Sequence, residues 1–105
     1  MRVVIDEADR TFSTLYKMYY SGESLQLEES QKIIDEIESG KCNKVAEIII
    51  KLESGLLELY SIYRVESNYY LAHTCSEHIS LGIICGIVRI REEDVKEMLL
   101  MLSLR

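Results

Sequence analysis

The sequence predicts an all-α fold of four main helices and a short C-terminal fifth, packed as a bundle or an orthogonal array without a substantial sheet. Three observations favour it. The chain contains no proline, so nothing forbids continuous helix. It contains no Asn-Gly or Asp-Gly pair of the kind that forms tight hairpins. Apolar residues recur at intervals of three and four, the spacing of amphipathic helices. The 105 residues suit one domain, 1–105.

The first two helices are predicted from apolar stripes that end at glycines. The first runs from about Asp6 to Tyr20 and ends at Ser21-Gly22, where glycine can adopt a left-handed capping conformation. Ser24 can cap the second, which ends at Ser39-Gly40. The stripes comprise Ala8, Phe12, Leu15, Tyr16 and Tyr19, then Leu27, Ile33, Ile34 and Ile37.

The third predicted helix is the longest and spans roughly Lys44 to Val65. Its apolar seam steps alternately by four and three residues, as in packed helices. The seam widens to an arc of about 200°, which one neighbouring helix cannot cover. We therefore expect this helix to be central or to contact a second copy of the chain. Gly55 lies in the seam, where it can mark a kink.

A fourth helix is predicted from Tyr69 to about Cys85, and a last one begins at Glu92. The connection between them, Gly86 to Ile90, could be extended. Small residues are frequent on the inner face of the fourth helix, and Gly82 and Gly86 stand four apart. Small residues at that spacing permit close backbone approach, which predicts a tight helix or dimer contact. The alternative is that Gly86 only caps the helix and Gly82 fits a crowded core.

These features predict a small, non-catalytic protein-interaction module that forms a homodimer. The expected partner is a second copy of the chain, with another protein as the alternative. The predicted contact residues lie on the third and fourth helices and are Leu56, Leu59, Tyr63, Cys75, Ile79, Gly82 and Gly86.

One cluster of metal-ligating residue types, His73, Cys75, Glu77 and His78, raises a metal-dependent enzyme as a further alternative. On a helix, His73 and His78 would point about 140° apart, so the pattern gives only two-ligand fragments. The preferred interpretation pairs His73 with Glu77 on a solvated face and packs Cys75 inward. No cofactor or catalytic residue is predicted.

A helix-turn-helix regulator that binds nucleic acid is the other alternative, from the pattern between Ser80 and Leu102. Its reading helix would begin with Glu92, Glu93 and Asp94, which repel phosphate. The net charge of −6 also disfavours a polyanionic partner.

Composition indicates a cytoplasmic protein outside the membrane. The longest run without a charged residue, Ile79 to Val88, is about half of a bilayer-spanning helix, and the N-terminus lacks the apolar region of a signal peptide. An odd number of cysteines, Cys42, Cys75 and Cys85, favours buried reduced thiols over a disulfide framework. Asn and Gln together number only four, as in proteins from hot environments.

Overall fold

The computed structural model describes residues 1–105 and has a mixed α/β fold, so the all-α prediction is wrong. One sheet contains six strands: β1 (Arg2–Asp6), β2 (Glu23–Ser24), β3 (Asn43–Lys51), β4 (Leu57–Val65), β5 (Asn68–Thr74) and β6 (Gly86–Ile90). The helices are α1 (Arg10–Ser21), α2 (Leu27–Glu38) and α3 (Glu92–Ser103), with a short 3₁₀ helix at Ser76–Leu81. No helix combines the length and the apolar character needed to cross a membrane.

The strands follow the order β1-β3-β4-β5-β6-β2 across the sheet. β1 runs parallel to β3, and every other neighbouring pair is antiparallel. β1 and the two-residue β2 are therefore the edges, and only β1 offers a free edge of several residues.

The main core lies between one face of the sheet and helices α1 and α3. The strand register places alternate residues on this face, so Ile48 stands opposite Tyr60 and Ile62 opposite Leu71. All of these are buried in the core cluster. The helices contribute Leu15, Met18, Val95, Met98 and Leu102.

Helix α2 lies on the opposite face, over β5 and β6. Tyr70 and Arg89 are register partners that alternate with the core residues, and the Tyr70 hydroxyl donates to Glu29 of α2 at 3.1 Å. Ile33 of α2 is buried but does not belong to the main core cluster. Further across this face Ser61 of β4 is still buried, whereas Val4 on the edge strand β1 is half-exposed.

The predicted helix from Lys44 to Val65 is instead the hairpin of β3 and β4. The run Ile48-Ile49-Ile50 is β-branched and favours a strand. Ile48 and Ile50 point into the main core, and Ile49 points to the opposite face of the sheet. Gly55 has φ +91° and lies in the turn, where the Leu52 amide donates to the Leu56 carbonyl at 2.9 Å. The glycine marks a chain reversal, not a kink, and the broad apolar arc reflects strands apolar on both faces.

The predicted helix from Tyr69 to Cys85 is also wrong, because this segment forms β5 and the 3₁₀ helix. The extended connection at Gly86–Ile90 is confirmed as β6. The three remaining helices are confirmed as α1, α2 and α3, with α1 beginning later, at Arg10. The left-handed conformation predicted for Gly22 is wrong, because Gly22 has φ −65° and is extended, whereas Gly40 after α2 is left-handed, with φ +75°.

Candidate functional site

The free edge of β1 carries backbone groups that no strand satisfies. The amide of Glu47 donates to the Met1 carbonyl at 2.8 Å, and the amide of Glu7 donates to the Lys51 carbonyl at 2.9 Å. Because successive residues of a strand point their backbone groups to opposite sides, the odd-numbered residues bond to β3. The amides of Arg2, Val4 and Asp6 therefore face outward. The Arg2 and Val4 carbonyls do the same, while the Asp6 carbonyl accepts from the Asp9 amide at 3.0 Å.

The side chains of Arg2, Val4 and Asp6 lie on the sheet face opposite the main core, because Val3 and Ile5 pack into that core. Val4 is 50% exposed and is in register with Ile49, which is in register with Leu59. These three residues form an apolar row across β1, β3 and β4, defined here as the Val4 row. Arg2 and Asp6 flank the row with opposite charges, and Arg2 pairs with Glu47 at 3.3 Å.

A second cluster lies in the connection between β5 and β6. Cys75 directly follows β5, Cys85 directly precedes β6, and the two form a disulfide with their Cα atoms 6.2 Å apart. The ligand atoms of Cys75, His78 and Cys85 lie within 4.8 Å of one another. Glu77 Oε2 is 3.7 Å from Cys75 Sγ. The disulfide makes the prediction of reduced, buried thiols wrong for these two cysteines, because a hairpin rather than a helix joins them.

Cys42 remains a free, half-buried thiol away from this cluster. Burial, together with the charge of Glu36, raises the pKa of Cys42. This thiol is therefore held in its neutral form at neutral pH, which suits packing more than nucleophilic chemistry.

His73 does not join the metal-ligating cluster, and its predicted pairing with Glu77 is wrong. It stands on β5 with its ring toward the core face, and its Nε2 is 3.6 Å from Glu58 Oε2. Residues two apart on a strand point to the same side of the sheet, so His73 and Cys75 share a side. His73 stacks on the buried Tyr60, whereas Cys75 lies just beyond the end of β5. The predicted cluster thus loses His73, keeps Cys75 and His78, and gains Cys85, while Glu77 lies beside it through its contact with Cys75.

The residues predicted as a helical dimer contact do not form one surface. Leu56 is exposed in the β3–β4 turn, and Leu59 and Tyr63 lie on β4 on the α2 side of the sheet. The remainder belong to the β5–β6 connection, where Gly82 ends the 3₁₀ helix with φ +68°. Gly86 begins β6 next to Tyr19. Only Leu59 falls within the Val4 row.

The helix-turn-helix prediction is also wrong in geometry. The turn that it requires is β6, which lies inside the sheet between β5 and β2. The acidic start of α3, Glu92, Glu93 and Asp94, follows this strand directly. Arg91, the residue between β6 and α3, pairs with Asp94 at 3.2 Å.

Arg89 is a central polar residue that the sequence pattern does not reveal. Its guanidinium contacts Glu29 of α2 and is 3.2 Å from Glu23. The hydrogen bond from Arg89 is the main cause that lowers the pKa of Glu29, and the Glu29 carboxylate in turn raises the pKa of Arg89. Arg89 and Arg91 line a cleft of about 450 Å³. Both guanidiniums are paired with carboxylates, Arg89 with Glu23 and Glu29 and Arg91 with Asp94.

The sequence carries local signals for the β1 strand and for the pairing of Cys75 with Cys85, but none for Arg89. The run Arg2-Val-Val-Ile-Asp6 is β-branched with opposite charges at its ends, which is typical of a strand. Cys85 stands ten residues after Cys75, a separation that a short connection between paired strands can close. The pairing of Arg89 with Glu29, 60 residues apart, has no local signal.

No protein-family model, curated protein or solved structure matches this chain.

Proposed function

We propose that the protein is a self-associating interaction module whose two copies pair through antiparallel β1 strands. One observation carries this proposal: the outward backbone groups of β1 are arranged symmetrically about Val4. An exposed strand edge with such groups is a template for pairing with another chain. The occupant that we propose is a second copy.

The hydrogen-bond register follows from the direction of the free groups. With a two-fold axis beside Val4, the two Val4 residues exchange N–H···O bonds as a hydrogen-bonded antiparallel pair. The Asp6 amide of each copy then donates to the Arg2 carbonyl of the other. The Asp6 carbonyl already accepts a hydrogen bond from the Asp9 amide of its own chain. A bond from the Arg2 amide of the other copy would therefore have to share this acceptor. Four unshared backbone bonds join the copies.

Charge complementarity supports the same register. In this arrangement Arg2 of one copy lies directly opposite Asp6 of the other, and the reverse pair lies across the axis. Opposite charges directly across an antiparallel pair contribute roughly 0.2–1 kcal/mol. A parallel pairing would instead place Arg2 beside Arg2 and Asp6 beside Asp6.

The apolar surface supports it as well. Each Val4 row ends at the free edge, and the two-fold axis joins the two rows into one. Val4, half-exposed in the single chain, would contact its counterpart across the axis. The join extends a continuous row from Leu59 of one copy to Leu59 of the other.

Light scattering coupled to size exclusion tests the proposal. A dimer has twice the chain mass of 12.2 kDa, with a fraction that rises with concentration. Val4→Pro removes an outward amide that makes no bond within the chain, so an edge strand tolerates it. We expect it to raise the dissociation constant about tenfold or more, because it removes two intermolecular bonds of roughly 1 kcal/mol each. Val4→Thr, which keeps the amide, is the matched control.

A charge swap tests the register. Arg2→Asp and Asp6→Arg should each weaken the dimer, because each places like charges opposite one another. The double variant should restore it. Val4→Cys in a Cys42→Ser background should form an intermolecular disulfide, since a hydrogen-bonded pair has Cα atoms about 5.5 Å apart. Ser24→Cys on the opposite edge is the control and should not.

Two results would overturn the proposal. One is a mass of 12.2 kDa at every concentration, in which case Arg2 and Asp6 only protect an exposed edge. The other is a dimer unaffected by Val4→Pro and by both single charge variants, which would move the interface elsewhere.

The location that we propose is the cytoplasm. The unpaired thiol of Cys42 supports it, because secreted chains commonly pair all their cysteines, and this location requires that the Cys75–Cys85 pair be reduced in the cell. Cell fractionation with antibody detection tests this location, and recovery outside the cytoplasmic fraction would contradict it.

A further inference from the structure

We propose that the reduced β5–β6 connection is a zinc site, with Cys75, Cys85 and His78 as protein ligands and the adjacent Glu77 reaching the fourth position by rotation of its side chain. The ligand class is a divalent cation that accepts thiolate, imidazole and carboxylate together, which is typical of Zn²⁺. This site is separate from the β1 edge and does not depend on the dimer.

The framework already holds the cysteines at a suitable separation. Cys75 and Cys85 adjoin the paired ends of β5 and β6, where His73 is in register with Gly86. The Cys85 amide donates to the His73 carbonyl at 2.7 Å, which fixes the base of the connection. A tetrahedral Zn²⁺ with bonds of about 2.3 Å places two sulfurs roughly 3.7 Å apart. Side-chain rotation can provide that distance once the disulfide is reduced.

The remaining donors come from the 3₁₀ helix. His78 lies three residues after Cys75, and its amide donates to the Cys75 carbonyl at 3.0 Å, so this turn carries the imidazole back toward the sulfurs. Glu77 Oε2 is 3.7 Å from Cys75 Sγ. Ser76 anchors the turn through its hydroxyl, which donates to the Leu57 carbonyl at 2.5 Å.

A contact outside the ligand set supports a thiolate at Cys85. The backbone amide of Cys75 donates to Cys85 Sγ at 3.3 Å. An N–H directed at sulfur stabilises the charged form that a metal requires, and such outer contacts orient ligands in zinc sites. Cys75 and His78 are half-buried and Cys85 is exposed, so an ion has access from solvent.

Metal loading requires that the disulfide first be reduced to two thiols. A phosphine reductant gives two electrons to the Cys75–Cys85 bond and becomes a phosphine oxide with an oxygen from water. The two protons of that water reach the sulfurs, which become thiols. Zn²⁺ then displaces both thiol protons and binds two thiolates, so metal uptake releases protons. In the disulfide form neither sulfur is available as a thiolate.

The test compares the oxidised and reduced wild-type chain. After anaerobic removal of the phosphine, Zn²⁺ is titrated against a chromophoric chelator, and Co²⁺ is used to read the ligand set from its absorption. We expect one equivalent of Zn²⁺ per reduced chain, the visible bands of tetrahedral thiolate-bound cobalt, and no uptake by the oxidised chain. This comparison needs no substitution, so a misfolded variant cannot obscure it.

Substitutions then assign the ligands. Cys85→Ser removes one of the two thiolates and should weaken both metal binding and the thiolate-to-cobalt absorption, and His78→Ala should weaken zinc binding by at least about tenfold, the minimum seen when even an outer contact is lost. Glu77→Gln should weaken it less if water replaces the carboxylate. Cys42→Ser and His73→Gln are controls outside the site and should bind as the wild type does. Failure of the reduced wild type to take up zinc would overturn the proposal, as would undiminished binding by both Cys85→Ser and His78→Ala.

Discussion

The imidazole of His73 lies flat on the ring of Tyr60, with ring centroids 4.6 Å apart and planes inclined by 15°. The two residues are register partners on β5 and β4, and Tyr19 of α1 packs edge-on against both. Burial is the main cause that raises the pKa of Tyr60, so its ring stays neutral at physiological pH. This stack joins α1 to the centre of the sheet.

Tyr60→Ala should therefore lower the free energy of unfolding by about 3–5 kcal/mol, the range for removing a large buried aromatic ring. Tyr60→Phe keeps the ring and the stack, and should change stability by less than about 1 kcal/mol. Urea denaturation of the three proteins measures both. If Tyr60→Ala behaved like Tyr60→Phe, the stack would contribute little to packing.

The sequence predicts the helices well because their signals are local. Acids in the first turn of α3 and the stripe of Val95, Met98 and Leu102 depend only on neighbouring residues. The predicted helix over Lys44–Val65 failed because two strands that are apolar on both faces imitate a wide helical stripe. The apolar residues of β3 and β4 keep the helical spacing of four and three across the turn at Gly55 only because that turn happens to have a length that preserves it.

Only some residues of the candidate sites can be predicted from the sequence. Cys75, Glu77 and His78 were predicted together, because they stand within four residues of one another. Cys85 was assigned to a helix, which would have carried it away from Cys75. The β1 edge depends on which strand has no neighbour, and strand order is a non-local property that residue spacing does not encode.

The start of α1 depends on Asp9, whose carboxylate accepts from the Thr11 amide at 2.8 Å and pairs with Arg105. Asp9→Ala should lower the free energy of unfolding by about 1 kcal/mol, the usual cost of losing an N-cap. Asp9→Asn keeps a capping oxygen and should cost less. Urea denaturation at neutral pH measures both variants.

The same residue predicts a pH dependence. The bond from Thr11, followed by that from Arg105, lowers the pKa of Asp9. A carboxyl whose pKa is lower in the folded state stabilises above its unfolded value of about 3.9, and this contribution is lost as pH falls through the folded value. The stability difference between wild type and Asp9→Asn should shrink below about pH 4. A difference that stayed constant to pH 2 would contradict the charge contribution.

The hydroxyl of Tyr19 occupies the space beside Gly86, where a Cβ atom would lie 1.9 Å from its oxygen and 3.3 Å from Cζ. Gly86→Ala should therefore force the Tyr19 ring from its place against Tyr60 and His73. We expect a loss of about 1–3 kcal/mol in the free energy of unfolding, as for other overpacked cores. Thermal and urea denaturation measure it.

Tyr19→Phe provides the control, because it removes the oxygen that the new methyl group would meet. In the double variant the two substitutions should couple favourably, by roughly 0.5–3 kcal/mol, since each acts on the same contact. Gly86→Ala would then cost much less in the Tyr19→Phe background than in the wild type. Strict additivity of the two changes would show that Gly86 is required for the conformation of β6 and not for the space that Tyr19 fills.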